Sequence, residues 1–406
     1  MLETAAARRA GRPVWLIDSV DFWRLWFVGL VVFSVRWVET VAVGVFVYQQ
    51  TGSAFTVAMM TMLRLLPMGL FGAFLGAIAE RLERRITLIV VIASMVATSS
   101  VLAVLAHLQL LAVWHLAVAS FINGIGWATD NPVRRVMIGE AVGAAQMGTA
   151  MSVDVGANNA SRMIGPTIGG MLLAGVGIEG VFTLSVVLYA IAVVAACRVR
   201  YRNLFPPITT EPVLARIAEG LRLVRNDRRL IGVLTVTVIY NVFGWPFTSM
   251  VPVIGQDRLQ LGPEGIGILA SMDGIGAFAG AVLMAMFCRP HVYRYAYIGG
   301  VMLYQVMLTV FAVVPLPAVA GSALLFTGLG GAGFSIMQAT LVYLSSPPEM
   351  RSRMLGVLSV CIGIGPVGFV ALGWLADAIG APWATAATGI TGLLMMLLTR
   401  PLWRVI

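Results

Sequence analysis

Seven ionisable side chains sit inside stretches of sequence that are otherwise almost wholly apolar: Arg36, Glu39, Arg64, Asp130, Asp154, Arg162 and Asp273. Inside a bilayer each costs on the order of 2.5–3.5 kcal/mol at a helix centre, so each needs an opposite charge or water. Two kinds of chemistry use such groups. An acid held in apolar surroundings can exchange a proton at useful pH, and a buried ion pair can hold helices together or release them. Depth along a helix, about 1.5 Å per residue, sorts the seven into sets. Glu39 and Arg64 fall at similar depth on consecutive apolar stretches, with Arg36 three residues from Glu39 and on roughly the same face. These three are expected to form one cluster. Asp130 and Arg134, four residues apart, are expected to pair as an anchor or gate at the inner end of their stretch. Asp154 and Arg162 lie eight apart, close to one face, with Asn158 and Asn159 between them. Asp273 is the most isolated acid, since the nearest basic residue in its half of the chain, Arg258, falls beyond its stretch. Asp273 and Glu39, then Asp154, are therefore the candidate proton-exchanging acids, with Arg36, Arg64 and Arg162 as intramembrane charge partners.

The elements that carry these residues follow from composition. A chain of 406 residues could be two or three soluble domains by length. Its hydrophobic fraction of 59% and mean hydropathy of +0.92 exceed the roughly 45–50% apolar content of soluble domains. Runs of about 20 apolar residues suffice to cross a bilayer as a helix. They recur at 22–48, 55–79, 86–106, 109–133, 146–174, 179–197, 230–254, 262–288, 295–315, 317–345, 353–376 and 382–399. Spans this long and unalternating mean helices rather than barrel strands. The seven charges fall on the first, second, fourth, fifth and eighth spans, and none falls on the third, sixth, ninth or twelfth.

Orientation comes from the arginines. All 27 basic residues are arginine. With the N-terminus in the cytoplasm, Arg258 alone lies outside, Arg36, Arg64 and Arg162 lie within spans, and every other arginine faces the cytoplasm. Both termini are expected there. Arg8, Arg9 and Arg12 precede the first span as in a signal peptide, but that span is too long for a signal core and no small-residue cleavage site follows, so it reads as retained. Scattered arginines argue against a nucleic-acid face. Cys197, Cys288, Cys361 and the three histidines show no metal spacing or disulfide framework. No hydrolase or phosphate-loop signature is present, so no enzyme activity, cofactor or metal is expected.

The chain also repeats itself. "GAFLGA" at 72–77 returns as "GAFAGA" at 276–281, and "GPTIGG" at 165–170 has a counterpart in "GPVGFVALG" at 365–373, at nearly equal offset. The expected organisation is a six-helix bundle over 1–200, a cytoplasmic linker over 201–229, and a second six-helix bundle over 230–406. In the linker region Val213, Ile217, Leu221 and Val224 recur at helical spacing among arginines, the pattern of an amphipathic helix on the inner membrane surface. The fold class is thus an all-α membrane protein of twelve transmembrane helices in two pseudo-symmetric bundles.

The charge knot after the second span resembles the major facilitator superfamily signature Gly-x-Leu-Ala-Asp-Arg-x-Gly-Arg-Arg/Lys-x-x-Leu. Gly76, Ala79, Arg81, Arg84, Arg85 and Leu88 match, while Glu80 replaces the Asp and Glu83 the turn glycine. The resemblance implies a latch between the cytoplasmic ends of the two halves, made by Gly76, Glu80, Arg81, Arg84 and Arg85. A second signature of that superfamily, Gly-Pro-x-x-Gly-Gly, is intact as Gly165, Pro166, Thr167, Ile168, Gly169 and Gly170. It is associated with exporters working as antiporters, and physically it combines a helix bend with close helix approach. "TGSAFTVAMM" at 51–60, "NPVRRVMIGEAV" at 131–142 and "SSPPEMRSRMLGVLSV" at 345–360 are similar to the bacterial branch of enterobactin-exporter and macrolide-efflux-like proteins.

The resemblance implies a proton-coupled exporter of an amphipathic small molecule, drug-like or siderophore-like, acting as a monomer in the bacterial cytoplasmic membrane. Uptake of a small metabolite, or a non-transporting receptor, are the alternatives. Trp37, Asn123, Trp127, Tyr240, Asn241 and Trp245 are candidate cavity residues, able to stack on and hydrogen-bond an organic cargo. Tyr304 is set aside because the ninth span is peripheral in that fold.

Overall fold

The structure, a computed structural model, describes residues 19–81, 83–143, 146–200, 219, 222, 224, 225, 227–347, 350–404 and 406, with the side chains of 72–81 and 352 excepted. Most of the predicted surface helix, the N-terminal arginines, and the side chains of Gly76, Glu80 and Arg81 in the expected latch lie outside the described residues. Every regular element among the described residues is helical. The helices are α1 (Val20–Thr51), α2 (Ala54–Arg81), α3 (Arg84–His107), α4 (Val113–Val142), α5 (Met147–Val176) and α6 (Ile178–Cys197), then α7 (Arg228–Ile239), α8 (Val251–Asp257), α9 (Pro263–Phe287), α10 (Tyr293–Val313), α11 (Pro317–Ser345), α12 (Arg351–Ile362), α13 (Gly365–Ile379), α14 (Ala381–Leu398) and α15 (Arg400–Trp403).

Local chemistry sets the helix ends. Ser19 caps α1 by accepting from the Phe22 N–H at 3.3 Å, with Asp21 in the first turn. Gly52, at φ 62°, closes it in the left-handed conformation a side chain would resist. Proline breaks two of the predicted spans. The stretch 230–254, read from sequence as one helix, is α7, a π-helical turn over Tyr240–Gly244, a 3-10 turn over Trp245–Ser249, and then α8. Pro246 offers no N–H and its ring crowds the carbonyl four residues back, so the α ladder cannot continue. Likewise 353–376 divides at Gly363 into α12 and α13, with Pro366 in the first turn of α13. Pro132, in contrast, is absorbed within α4, so the helix expected to end at 133 runs on to Val142. Arg134 and Arg135 are consequently inside a helix and not at its end.

Ten helical stretches among the described residues are long and apolar enough to cross a bilayer. α4 and α5, thirty residues each, are not among them, because they hold Asn123, Asp130, Asn131, Arg134, Asp154, Asn158 and Arg162. Exposed tryptophans mark the lipid boundary: Trp114, Trp374 and Trp383 at one end of the bundle, and Trp23 at the end that carries Val20 and Arg400. These ends are termed the far side and the terminal side.

α1 packs on α5 and α6, α2 on α4, and α3 on α4 and α6; α9 and α10 pack on α11, and α14 on α10 and α13. The early and late helices meet through α5 with α9, α2 with α13 and α1 with α8. The apolar core records the same pattern. One cluster, from Phe22–Val35 through Leu88, Met137 and Tyr189, belongs to the terminal-side half of α1–α6 alone. The other joins the far-side parts of these helices to the later ones. Among the described residues, buried apolar packing thus joins the two groups at the far side, whereas the terminal-side cluster holds residues of the early helices only.

The GPTIGG run explains how α5 approaches both groups closely. A methyl group at Gly169 would lie 2.4 Å from the Val38 carbonyl oxygen of α1, and one at Gly170 would lie 2.3 Å from the Pro263 carbonyl oxygen of α9. The run thus lets α5 lie backbone to backbone against one helix of each group.

Candidate functional site

Towards the terminal side, α1, α4 and α5 enclose Arg134 completely. Its guanidinium is ion-paired with Asp154 of α5, lies 3.6 Å from Asp130, and sits 4.9 Å from the centre of the Phe33 ring. All three charged side chains are fully buried. Gly29 makes room for the arginine, since a methyl group there would come within 2.3 Å of it. Arg135, partly exposed, reaches the other oxygen of Asp154 at 3.5 Å. Sequence spacing put Asp130 with Arg134 and left Asp154 near Arg162; the structure instead turns Asp154 to Arg134 and makes an acid–base–acid triad. The reason is helix rotation. Asp154 faces α4, whereas Arg162, two turns on, faces α9. Neither oxygen of Asp130 accepts a hydrogen bond.

Nearer mid-depth, the expected α1–α2 cluster forms with one difference. Arg64 donates to Glu39 at 2.8 Å, to the Thr40 hydroxyl at 2.8 Å and to the Arg36 carbonyl oxygen at 3.3 Å. Arg36 is not part of the ion pair. Its guanidinium lies 3.7 Å from the centre of the Trp127 ring and 5.6 Å from that of Trp37. Beyond it Arg162 of α5 is ion-paired with Asp273 of α9. Asp273 is thus not isolated. Its partner comes from the other half of the chain, where intra-half spacing does not look.

A cavity of about 70 Å³ lies among these groups, walled by Arg36, Trp37, Glu39, Arg64, Asn123 and Trp245 and by apolar side chains of α1–α4 and α6. On this measure one water occupies about 10–15 Å³, so the cavity takes a chemical group rather than a whole organic molecule. Trp127 lines a smaller adjoining space. Tyr240 and Asn241, expected in the cavity, line neither space. Tyr240 is stacked 3.6 Å from Phe334 and packed against Tyr304, while the Asn241 amide donates to the Thr237 carbonyl oxygen at 2.8 Å. The π-helical turn rotates both into the core of the later helices.

Two acids missed in the sequence reading close the far side. Tyr48 of α1 donates to Asp257 of α8. Asp377 of α13 accepts from the Phe55 N–H at 3.0 Å and from the Ser53 hydroxyl at 2.8 Å, capping the start of α2 from the other group. A signal for Asp377 was present: Gly373, Leu375, Ala376 and Asp377 repeat the Gly-x-Leu-Ala-Asp opening of the latch signature. Of the latch arginines, Arg84 pairs with Glu140 at 2.5 Å and Arg85 donates to the Cys197 carbonyl oxygen at 2.6 Å, tying α3 to α4 and α6.

Residues 17–404 match the family model described as transmembrane secretion effector, of the major facilitator type. The chain belongs to this family. It is therefore a multi-pass membrane transporter. It is 22% identical to macrolide efflux protein A of Streptococcus pyogenes over 89% of this chain and 91% of that one. It is 28% identical to the multidrug efflux pump Tap of Mycolicibacterium fortuitum over 82% and 84%. Among solved structures, the POT family transporter PepTSo superposes with a TM-score of 0.76 at 11% identity, over 95% of this chain and 98% of that one, a likeness of fold.

The Asp377 cap offers a direct handle on the closed far side. Asp377→Ala should remove about 1 kcal/mol from the closed far side, a population shift of roughly fivefold. Ala58 is fully buried under Gly373 at this seam. A cysteine introduced by Ala58→Cys in a background lacking the native cysteines should then react several times faster with a membrane-impermeant maleimide. An unchanged rate would show that the cap does not hold the seam.

Proposed function

We propose that the chain is a proton-coupled exporter of an amphipathic small molecule, drug-like or siderophore-like, working by alternating access between two rigid groups of helices. The terminal side is taken as cytoplasmic, from the arginine distribution, so the arrangement described here is inward-facing. The observation that carries the proposal is the Arg162–Asp273 pair. It joins α5 to α9 between the groups, at the inner limit of their contact, with side chains 21% and 10% exposed. For the far side to open these helices must separate, and an unscreened ion pair resists that.

A proton on Asp273 removes the attraction, and cargo in the cavity weakens it through Trp37, whose ring lies 5.5 Å from the Arg162 guanidinium. An empty carrier stays locked, whereas one holding a proton or cargo can reorient. That is the logic of antiport, since binding shifts a two-state equilibrium only through differential affinity for the two states. The similarity to macrolide and multidrug efflux proteins supports export over uptake. The Glu39–Arg64 pair sits within one group, so it is assigned a positioning role beside the cavity.

The test is transport in inverted membrane vesicles with a fluorescent amphipathic dye. Uptake into the vesicles on imposing an inward-acid gradient, abolished by a protonophore, is the expected result. Dye movement only out of inverted vesicles, or movement indifferent to the protonophore, would overturn direction or coupling respectively.

A further inference from the structure

Among the described residues, Arg36 is a cation without a counter-ion. Glu39 is paired with Arg64 and Asp273 with Arg162, which leaves three guanidinium groups against two carboxylates in this layer. Among the described residues Arg36 makes no ion pair and its side chain donates no hydrogen bond, yet it lines both the cavity and the adjoining space. Its flanking indoles are also unsatisfied. The N–H groups of Trp37 and Trp127 are buried and have no acceptor. The Arg36 guanidinium stacks on Trp127 and, half-buried at the cavity wall, is open to an anionic group.

We infer that Arg36, with the indole N–H groups of Trp37 and Trp127, is the receptor for a carboxylate carried by the transported molecule, so that the cargo is an amphipathic organic anion. The guanidinium presents paired donors in the geometry a carboxylate accepts from. The indoles add donors that have no acceptor among the described residues, Trp37 in the cavity and Trp127 in the adjoining space, and the cavity volume suits one carboxylate. Val43, Met60, Leu116, Phe182 and Trp245 wall the same cavity and offer an apolar surface to the first carbons attached to the carboxylate. The inference rests on the reading of the chain as an organic-molecule carrier and adds the charge of its cargo.

The test uses binding, not transport, so that it can fail separately from the export proposal. Purified transporter in nanodiscs is titrated with pyrenebutyrate and with its neutral carboxamide, followed by quenching of tryptophan emission. The carboxylate should bind at least tenfold more tightly than the amide. Arg36→Gln should abolish that preference with little change in amide affinity, and Arg36→Lys should keep part of it. Equal binding of the two probes by the unmodified protein, or a preference that survives Arg36→Gln, would overturn the inference. If Arg36→Gln does not fold, the carboxylate-to-amide ratio of the unmodified protein decides alone. Carboxylate binding by a protein that fails the vesicle assay would sink only the export proposal.

Discussion

Replacing Arg134 with methionine is expected to destabilise the protein by about 3–5 kcal/mol, the cost of breaking a buried ion pair from one side. Methionine keeps the aliphatic stem of the lost side chain but not the guanidinium that packs against Phe33 and Gly29. Nor can it keep the charge. Asp130 and Asp154, fully buried and lying on either side of the guanidinium, would face each other with nothing between them except the partly exposed Arg135 on one oxygen of Asp154. The measurement is thermal unfolding in detergent, followed by loss of the monodisperse peak. Adding Asp130→Asn and Asp154→Asn to Arg134→Met should recover most of the loss, because neutral amides no longer require a cation. Arg134→Lys should fall between, since a point charge cannot serve two carboxylates as a planar fork does. If Arg134→Met unfolds with the unmodified protein, the triad is not a structural keystone of the terminal-side core.

The second large effect is expected from Asp273→Asn. An amide cannot neutralise Arg162 and has no proton to exchange, so the lock between α5 and α9 loses both its strength and its proton sensitivity. Because the unlocked carrier reorients without a proton, the imposed gradient should no longer accelerate export, while dye movement down its own gradient persists. Asp273→Glu, which keeps an ionisable group in reach, should retain a measurable fraction of the acceleration. Binding of cargo at the cavity should survive Asp273→Asn, because that site is built chiefly by α1, α2 and α4. Gradient-driven export at the unmodified rate in Asp273→Asn would remove this pair from the coupling mechanism. Full activity in matching variants of Glu39 and Asp154 as well would remove proton coupling through these acids altogether.

Much of this architecture was legible before any coordinates. Apolar runs separated by arginines announce helices and their ends, because the bilayer imposes backbone self-satisfaction on every span and leaves charge to the boundaries. Glu39 and Arg64 could be paired by depth alone, since their helices are consecutive and joined by a tight turn at Gly52. Asp130 and Arg134 could be paired because one turn of one helix separates them. Other assignments failed at prolines. The span that was expected to end beside Pro132 runs on through it, whereas the span expected to continue through Pro246 is broken there.

Composition, periodicity and motif by themselves determined that this chain is a helical membrane protein of the major facilitator type and which few charges it carries into the apolar layer. Those properties are local, written in single residues and in spacings of a few. Which charge meets which was decided only by the tertiary structure. Arg162 finds Asp273 from across the chain, Asp154 turns to Arg134, and Arg36 is left over beside two tryptophans. Such choices depend on the rotation of each helix about its axis and on which groups pack together, and a difference of one residue in rotation, about 100°, redirects a side chain from one neighbour to another.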